Sequence, residues 1–272
     1  MNEHELAKAK AALTYNTAAD YFDHPVSSFW HCFGRQTIER INLRAGELVL
    51  DVCSGSGGSA LPAAEQVGPD GKVIAVDLAE RLIALAQAKA VSRKLKNMEF
   101  RVADMLDLGY PDASFDAVVC VFGIFFVPDM LAAVSELWRM VKPGGKLAIT
   151  TWGPDLFEPA SSAFWDAIGN ARPDLQRSFN PWDRISTPSG LREMFAEVGI
   201  HADNILAESG THPLESPYDW WSIAMGSGYR GTLAQLDSET FEQVRTENLS
   251  RLYREQVKGI KTNVVYAVVE KQ

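Results

Sequence analysis

The chain contains few cysteines, and their positions argue against two common ways of holding a fold together. Cys32, Cys53 and Cys120 are widely spaced along 272 residues and are odd in number. This pattern argues against a disulfide framework and is typical of a protein in a reducing compartment. No pair of cysteines has the short spacing of a zinc site, and we predict no bound metal.

A surplus of basic charge is also missing. The chain has 26 lysines and arginines against 35 acidic residues, a formal net charge of −9. Nucleic acid is therefore not an expected partner, and no Lys/Arg cluster suits an anionic membrane surface. No apolar run approaches the roughly 20 residues of a membrane span. The polar residues 1–6 lack the apolar run of a signal peptide, so we expect a cytoplasmic protein.

The most informative feature that is present lies at residues 49–57, Val-Leu-Asp-Val-Cys-Ser-Gly-Ser-Gly. A short apolar run ends in Asp51, a loop with Gly55 and Gly57 follows, and residues 58–67 have a helix-like pattern. Glycine allows positive φ and a close approach of ligand to backbone, and a helix start supplies unpaired N–H groups. The segment predicts a strand, a tight turn and a helix start.

This loop has more than one interpretation. Gly55, Gly57 and Ala60 match a dinucleotide fingerprint, and Asp77 follows near the position of a ribose-binding acid. Residues from Asp51 to Gly57 also match the acid-x-small-x-Gly-x-Gly motif of class I S-adenosylmethionine (SAM) methyltransferases. A plain strand-to-helix turn with no ligand is the third interpretation. The glycine loop alone does not decide among them.

Helix-like and strand-like segments alternate along the first part of the chain. The first 45 residues are helical and aromatic in pattern. Strands are predicted at 47–52, 72–77, 98–102, 115–121 and 146–152, and helices at 78–94 and 130–141. The fourth strand is nearly all apolar, as buried parallel strands are. This alternation predicts an α/β fold with a doubly wound parallel sheet.

The regular alternation of predicted strands and helices ends after Trp152. Residues 153–186 include several prolines and tryptophans and predict an irregular, partly helical connection. Apolar residues then recur with helical spacing between Pro188 and Gly199, which predicts a helix from about residue 189. A sixth strand is predicted at 200–207, helices at 216–259 and a last strand at 262–270.

Further motifs accompany the later strands. Asp104 and Met105 follow the third strand, where an acid can accept a hydrogen bond from an adenine amine while an apolar side chain packs on the ring. Asp116 lies at the start of the fourth strand, and Lys142-Pro-Gly-Gly145 leads into the fifth. Several motifs in this order are more specific than one glycine loop.

Together these motifs resemble class I SAM-dependent methyltransferases, particularly the bacterial small-molecule group that includes quinone C-methyltransferases. The resemblance covers residues 46–152 by motif and 187–270 by pattern. It implies a Rossmann-like, doubly wound seven-stranded sheet, whose antiparallel last strand lies between the fifth and sixth, with a helical cap. The implied domains are an N-terminal helical cap at 1–45, a SAM-binding core at 46–152, and a remainder at 153–272 with a substrate cap at about 208–260.

The resemblance also implies a cofactor site, with SAM as methyl donor and S-adenosylhomocysteine (SAH) as product. Asp51 would lie near the methionine part, Asp77 would hold the ribose, and Asp104 would contact the adenine. The implied set is Tyr15, Asp51, Cys53, Ser54, Gly55, Gly57, Asp77, Leu78, Asp104, Met105, Val121 and Phe122. Asp77 also suits a helix N-cap. Cys53 is a departure, because the family commonly has glycine there.

The acceptor side is less defined by sequence. His31 and His212 are the candidates for a general base, although a lone histidine is more often structural. Aromatic candidates for the acceptor pocket are Tyr21, Trp30, Trp152 and Trp221. Glu215 and Asp219 flank a tryptophan pair and would suit a cationic acceptor, which aromatic faces also attract.

The sequence thus predicts transfer of a methyl group from SAM to a small-molecule acceptor by in-line displacement. Two alternatives stay open: a SAM-binding protein without catalysis, and a nicotinamide-dependent oxidoreductase, for which no catalytic Tyr/Lys or His arrangement stands out. An arsenic methyltransferase is disfavoured, because the cysteines lie on or beside predicted core strands. Homodimer formation is a further expectation that the sequence leaves open.

Overall fold

A computed structural model of the chain describes residues 3–177 and 179–272. The strands are β1 (Leu48–Val52), β2 (Lys72–Asp77), β3 (Met98–Val102), β4 (Phe115–Val121), β5 (Val141–Trp152), β6 (Ile205–Glu208), β7 (Thr211–Pro213), β8 (Gly259–Lys261) and β9 (Val264–Glu270). The α-helices are α1 (Glu3–Phe22), α2 (Phe29–Ile41), α3 (Ala60–Val67), α4 (Glu80–Ser92), α5 (Met130–Met140), α6 (Ala160–Ala171), α7 (Pro188–Glu197), α8 (Pro217–Met225), α9 (Arg230–Leu233) and α10 (Ser238–Arg254).

The main sheet of the described residues has seven strands in the order β3-β2-β1-β4-β5-β9-β6. The pairs from β3 through β5 are all parallel. Strand β9 is antiparallel to both of its neighbours, β5 and β6. The predicted Rossmann-like sheet, with an antiparallel last strand between the fifth and sixth, is confirmed.

The sheet is buried on both faces, which explains the apolar runs in its central strands. In β4, Val118 and Cys120 pack in the same core cluster as α5, whereas Ala117 and Val119 pack with α2 and α3. Successive side chains of a strand point to opposite faces, so a strand covered on both sides needs apolar residues throughout. Burial of both faces holds the ends of the strands rigidly in place.

Some predicted boundaries differ from the structure. The sixth strand is shorter than predicted, because Gly199 takes a φ of 74° and the Ile200 N–H bonds back to the Phe195 carbonyl, closing α7. The fifth strand begins at Val141 rather than at residue 146, so the Lys142-Pro-Gly-Gly145 motif is part of β5. The pairing of β7 with β8 was not predicted, because two short strands separated by the 214–258 segment carry no local signal.

Helices from the two ends of the chain pack against other helices. Helix α1 packs against α4, α8 and α9, and α10 packs against α6 and α8. The N-terminal segment and the segment between β7 and β8 therefore contact one another. Within the described part of the chain, none of the helices combines the length and apolar character needed to cross a lipid bilayer.

Candidate functional site

The glycine loop between β1 and α3 is held in a tight left-handed conformation. Cys53, Gly55 and Gly57 have φ angles of 54°, 54° and 90°. The Ser54 N–H donates to the Val76 carbonyl at 3.0 Å, and the Gly57 N–H donates to the Ser54 carbonyl at 2.9 Å. A β-carbon on Gly57 would lie 3.0 Å from the Leu61 side chain. The loop thus makes the turn predicted for it, with a non-glycine residue at its first left-handed position.

Asp77, at the end of β2, connects this loop to the start of α4. Its Oδ2 accepts from the Gly55 N–H and its Oδ1 accepts from the Ala79 N–H, both at 2.8 Å. Burial raises the pKa of Asp77, while the backbone hydrogen bonds from Ala79, Gly55 and Leu78 oppose that rise. The N-cap position of α4 is Ala79 rather than Asp77. Asp77 therefore both braces the loop and faces the cavity beside it.

The first cavity lies beside the loop and has an empty volume of about 1040 Å³. The residues predicted to bind the cofactor that line it are Tyr15, Cys53, Ser54, Gly55, Asp77, Leu78, Asp104, Met105, Val121 and Phe122. These residues come from α1 and from the segments that follow β1, β2, β3 and β4. They converge because the carboxyl ends of parallel strands meet at one edge of the sheet. Asp51 and Gly57 belong to the predicted set but do not line this cavity.

Asp51 is fully buried and is connected to the cavity through Ser59. Its Oδ2 accepts from the hydroxyl of Ser59, a cavity-lining residue, at 2.7 Å. Its Oδ1 has no hydrogen-bond partner in the part of the chain that the structure describes. Burial raises the pKa of Asp51 to about 7; the Ser59 hydrogen bond opposes this rise and the charge of Asp77 adds to it. A nearby cation would satisfy the unpaired oxygen.

Helix α1 closes one side of the first cavity. His4 Nε2 lies 2.9 Å and Lys8 Nζ lies 3.4 Å from Asp104 Oδ2. Burial alone would raise the pKa of Asp104, but the hydrogen bonds from the Leu106 N–H and His4, with the charges of His4 and Lys8, lower it. His4 and Lys8 were not predicted as site residues, because nothing local links them to an acid about 100 residues away.

A second cavity adjoins the first and has an empty volume of about 1520 Å³. The residues that line both cavities are Ala11, Tyr15, Trp30, Phe122 and Phe126. The second cavity is strongly aromatic, and Trp152 stacks on Phe122 there with ring centroids 3.8 Å apart and a 9° interplanar angle. Of the predicted acceptor-pocket residues, Trp30 and Trp152 lie in it.

Other residues predicted to contact the acceptor do not line either cavity. Trp221 is buried against Phe241, and Tyr21 is partly exposed at the end of α1. Asp219 accepts from the N–H groups of Glu215 and Ser216 and so caps α8. These contacts give Trp221 a packing role and Asp219 a capping role.

The two histidine candidates also have partners away from the cavities. His31 Nε2 lies 3.3 Å from Asp23 Oδ1, and the same carboxylate accepts from Ser56 and Lys89. The ring of His212 packs edge-on against Phe29 at 5.2 Å, and burial lowers the pKa of His212. Within the described ranges, 3–177 and 179–272, no group of three or more His, Cys, Asp or Glu residues is arranged to hold a metal.

The fold and this loop are those of a Rossmann-like protein with a ligand site at the carboxyl ends of its parallel strands. A family model described as a methyltransferase domain matches residues 49–145. The demethylmenaquinone methyltransferase of Listeria monocytogenes serotype 4a (strain HCC23) is 35% identical over 188 residues, 65% of this chain and 79% of that protein. The demethylmenaquinone methyltransferase of Oceanobacillus iheyensis is 38% identical over 123 residues, and the match spans 45% of this chain and 52% of that protein.

Among solved structures, the YcgJ protein of Bacillus subtilis matches with a TM-score of 0.59 at 19% identity, covering 89% of this chain and 99% of that one. That likeness concerns the fold alone. From the sequence relatives, the chain belongs to the class I SAM-dependent methyltransferases. SAM is the methyl donor of this family, and SAH is the product.

Proposed function

We propose that this chain transfers a methyl group from SAM, bound in the first cavity, to a small aromatic acceptor bound in the second. The observation that carries the proposal is the junction of the two cavities at Tyr15, Trp30, Phe122 and Phe126. A donor in one cavity and an acceptor in the other would meet there, inside a wall of aromatic side chains. Transfer between bound partners requires this kind of close, oriented approach.

The residues that line the first cavity support SAM as its ligand. Asp77 lies where a ribose hydroxyl pair can reach its carboxylate, and Leu78 and Met105 supply apolar surface for the adenine. Asp51 lies behind the cavity-lining Ser59, and its carboxylate would attract the methionine ammonium across that residue. Gly55 lets the backbone approach the ligand without a side chain between them.

The bound donor supplies an already activated methyl group, so the protein's task is to position, enclose and orient. Helix α1 encloses the donor side through Tyr15 and through the contacts of His4 and Lys8 with Asp104. Burial raises the pKa of Tyr15, so its hydroxyl stays protonated at neutral pH and serves as a hydrogen-bond donor rather than as a base. With His31 and His212 outside the cavities, we assign no general base.

The proposal includes the cap segments predicted from the sequence. The predicted segments 1–45, described from residue 3, and 208–260 act as the cap, since α1 lines both cavities while Ser227, Gly228 and Tyr229 line the second. The cap excludes water from the junction and shapes the acceptor site. The expected cytoplasmic location remains a prediction from the sequence.

The proposal is tested by calorimetric titration with SAM, SAH and NADH in parallel. Micromolar binding of SAM and SAH with no binding of NADH supports the assignment, whereas binding of NADH alone overturns it. Purified protein is then incubated with SAM and a panel of aromatic acceptors, and products are identified by mass spectrometry. Reduced naphthoquinones come first because of the relatives' demethylmenaquinone methyltransferase name. SAM binding without turnover across the panel favours the non-catalytic alternative.

A further inference from the structure

The charge of the second cavity differs from that of the chain as a whole. The chain has a formal net charge of −9. The described residues that line this cavity nevertheless include the cations Lys10 and Arg177 and neither aspartate nor glutamate. A cationic acceptor would meet repulsion here with no carboxylate to pair with. The cavity is therefore suited to a ligand that carries negative charge.

Arg177 is the cation beside the aromatic part of this cavity, and its side chain is exposed. Its guanidinium lies over the Trp165 ring, 5.5 Å from the ring centroid. In the part of the chain that the structure describes, it has neither a hydrogen bond nor an ion pair, whereas the nearby Arg172 pairs with Asp174. A guanidinium presents a planar fork of donors that matches a carboxylate or a phenolate oxygen. The donors of Arg177 are thus available to a ligand.

Arg177 is exposed by its accessible surface, although two tyrosines lie near its guanidinium. Loss of hydration lowers the pKa of Arg177, and the hydroxyl groups of Tyr229 and Tyr15 oppose that change. Tyr229 donates to the Ser161 hydroxyl at 2.8 Å, while Tyr15 lines the junction of the two cavities. An exposed guanidinium beside an aromatic surface can still pair with the charged oxygen of an aromatic ligand.

We infer that the second cavity selects an aromatic acceptor that bears an ionised oxygen, a carboxylate or a phenolate, and that Arg177 pairs with that oxygen. The inference rests on the proposed function, because it names the acceptor class for the same site. The aromatic body of the acceptor packs among Trp152, Trp165 and Trp182. Its charged oxygen is held at Arg177, which fixes the orientation of the ring relative to the cavity junction.

The test compares two ligands of similar shape and different charge, 2-naphthoate and 2-naphthamide, titrated by calorimetry into the protein saturated with SAH. We expect the wild type to bind the naphthoate about tenfold more tightly, because a charge-assisted hydrogen bond contributes about 1.4 kcal/mol or more. Arg177→Met should reduce that preference to less than about twofold, and Arg177→Lys should retain part of it. Arg184→Met is the matched control, since Arg184 is in the same connection but pairs with Glu197.

Several outcomes overturn the inference. They are equal binding of the two ligands, no saturable naphthoate binding, or a preference that survives in Arg177→Met. If Lys10→Met loses the preference and Arg177→Met keeps it, the anion pairs with Lys10, and the role of Arg177 is overturned. SAH affinity is measured for each variant and reports on folding. The naphthalene titrations are repeated without SAH, so a failure to bind SAH, which overturns the proposed function, still leaves the anion preference measured.

Discussion

Gly123, just after β4, lies directly against Cys53, just after β1. A β-carbon on Gly123 would lie 2.4 Å from Cβ and 2.7 Å from Sγ of Cys53. Cys53 itself has a φ of 54°, a left-handed conformation that costs a non-glycine residue about 1 kcal/mol or more. Two loops that line the first cavity are therefore packed together without spare volume.

We expect Gly123→Ala to lower the free energy of unfolding by about 2 kcal/mol, because the added methyl group overpacks this contact. The double variant Cys53→Gly with Gly123→Ala should recover at least half of that loss, since the two closest clashing atoms are gone and only Cys120 Sγ, at 3.0 Å, remains. Urea unfolding curves measure both. Gly228→Ala is the control, because its β-carbon would meet only the Tyr15 hydroxyl, at 3.7 Å. Equal losses in the single and double variants would contradict this account of the contact.

The two hydrogen bonds of Asp77 lead to a prediction about cofactor affinity. Asp77→Asn leaves one acceptor oxygen where the carboxylate has two, so the variant must give up a loop hydrogen bond or a ribose hydrogen bond. We expect SAH affinity to fall at least about tenfold, which corresponds to about 1.4 kcal/mol. Calorimetry checks the affinity and far-UV circular dichroism checks the fold. Asp70→Asn, in the exposed turn before the same strand, is the control. Unchanged SAH affinity in folded Asp77→Asn would disprove the ribose role of Asp77.

The buried Asp51 predicts proton release when the cofactor binds. Its pKa is raised to about 7, so most molecules carry the proton at pH 6. An ammonium group near its unpaired oxygen would lower that pKa and expel the proton. We expect more proton release per SAH at pH 6 than at pH 8. Calorimetry in two buffers of different ionisation enthalpy measures this release. Absence of release in the wild type would place the ammonium elsewhere, and Asp51→Asn should release none.

The same group predicts how stability without cofactor depends on pH. The folded pKa of about 7 lies above the ordinary value of 3.8, so the folded state holds the proton more tightly than the unfolded state. The contribution of Asp51 to stability therefore falls as the pH rises from about 4 to 7. Asp51→Asn should remove this part of the slope, which thermal or urea unfolding across that range measures. An unchanged slope would mean that Asp51 is ionised in the folded protein.

The contacts of His4 and Lys8 with Asp104 predict that α1 controls cofactor release. A partly exposed ion pair contributes about 0.2–1 kcal/mol. The double variant His4→Ala with Lys8→Ala should therefore release SAH about two- to fivefold faster, as stopped-flow chase experiments measure. Lys96→Ala is the control, because Lys96 is exposed and lines neither cavity. Unchanged or slower release would mean that these side chains do not hold α1 over the cavity.

The sequence alone predicted the parallel strands and the loop, because their signals are local. An apolar run, an acid and two glycines lie within the nine residues from 49 to 57, and the central strands are largely apolar. Such patterns follow from backbone geometry and burial, which act on neighbouring residues. The positions of Asp77 and Asp104 beside the first cavity follow in turn, since parallel strands end at one edge.

Only the tertiary structure decided which distant residues complete the site. It brings His4 to Asp104, places Asp51 behind Ser59, and puts Arg177 over Trp165 in a cavity without acidic lining among the described residues. It also assigns Asp219 to a helix cap and Trp221 to packing. These outcomes depend on how the capping helices pack against residues far away in the sequence. Contacts of this kind are set by close packing in the folded protein, and they produce no periodic pattern in the sequence.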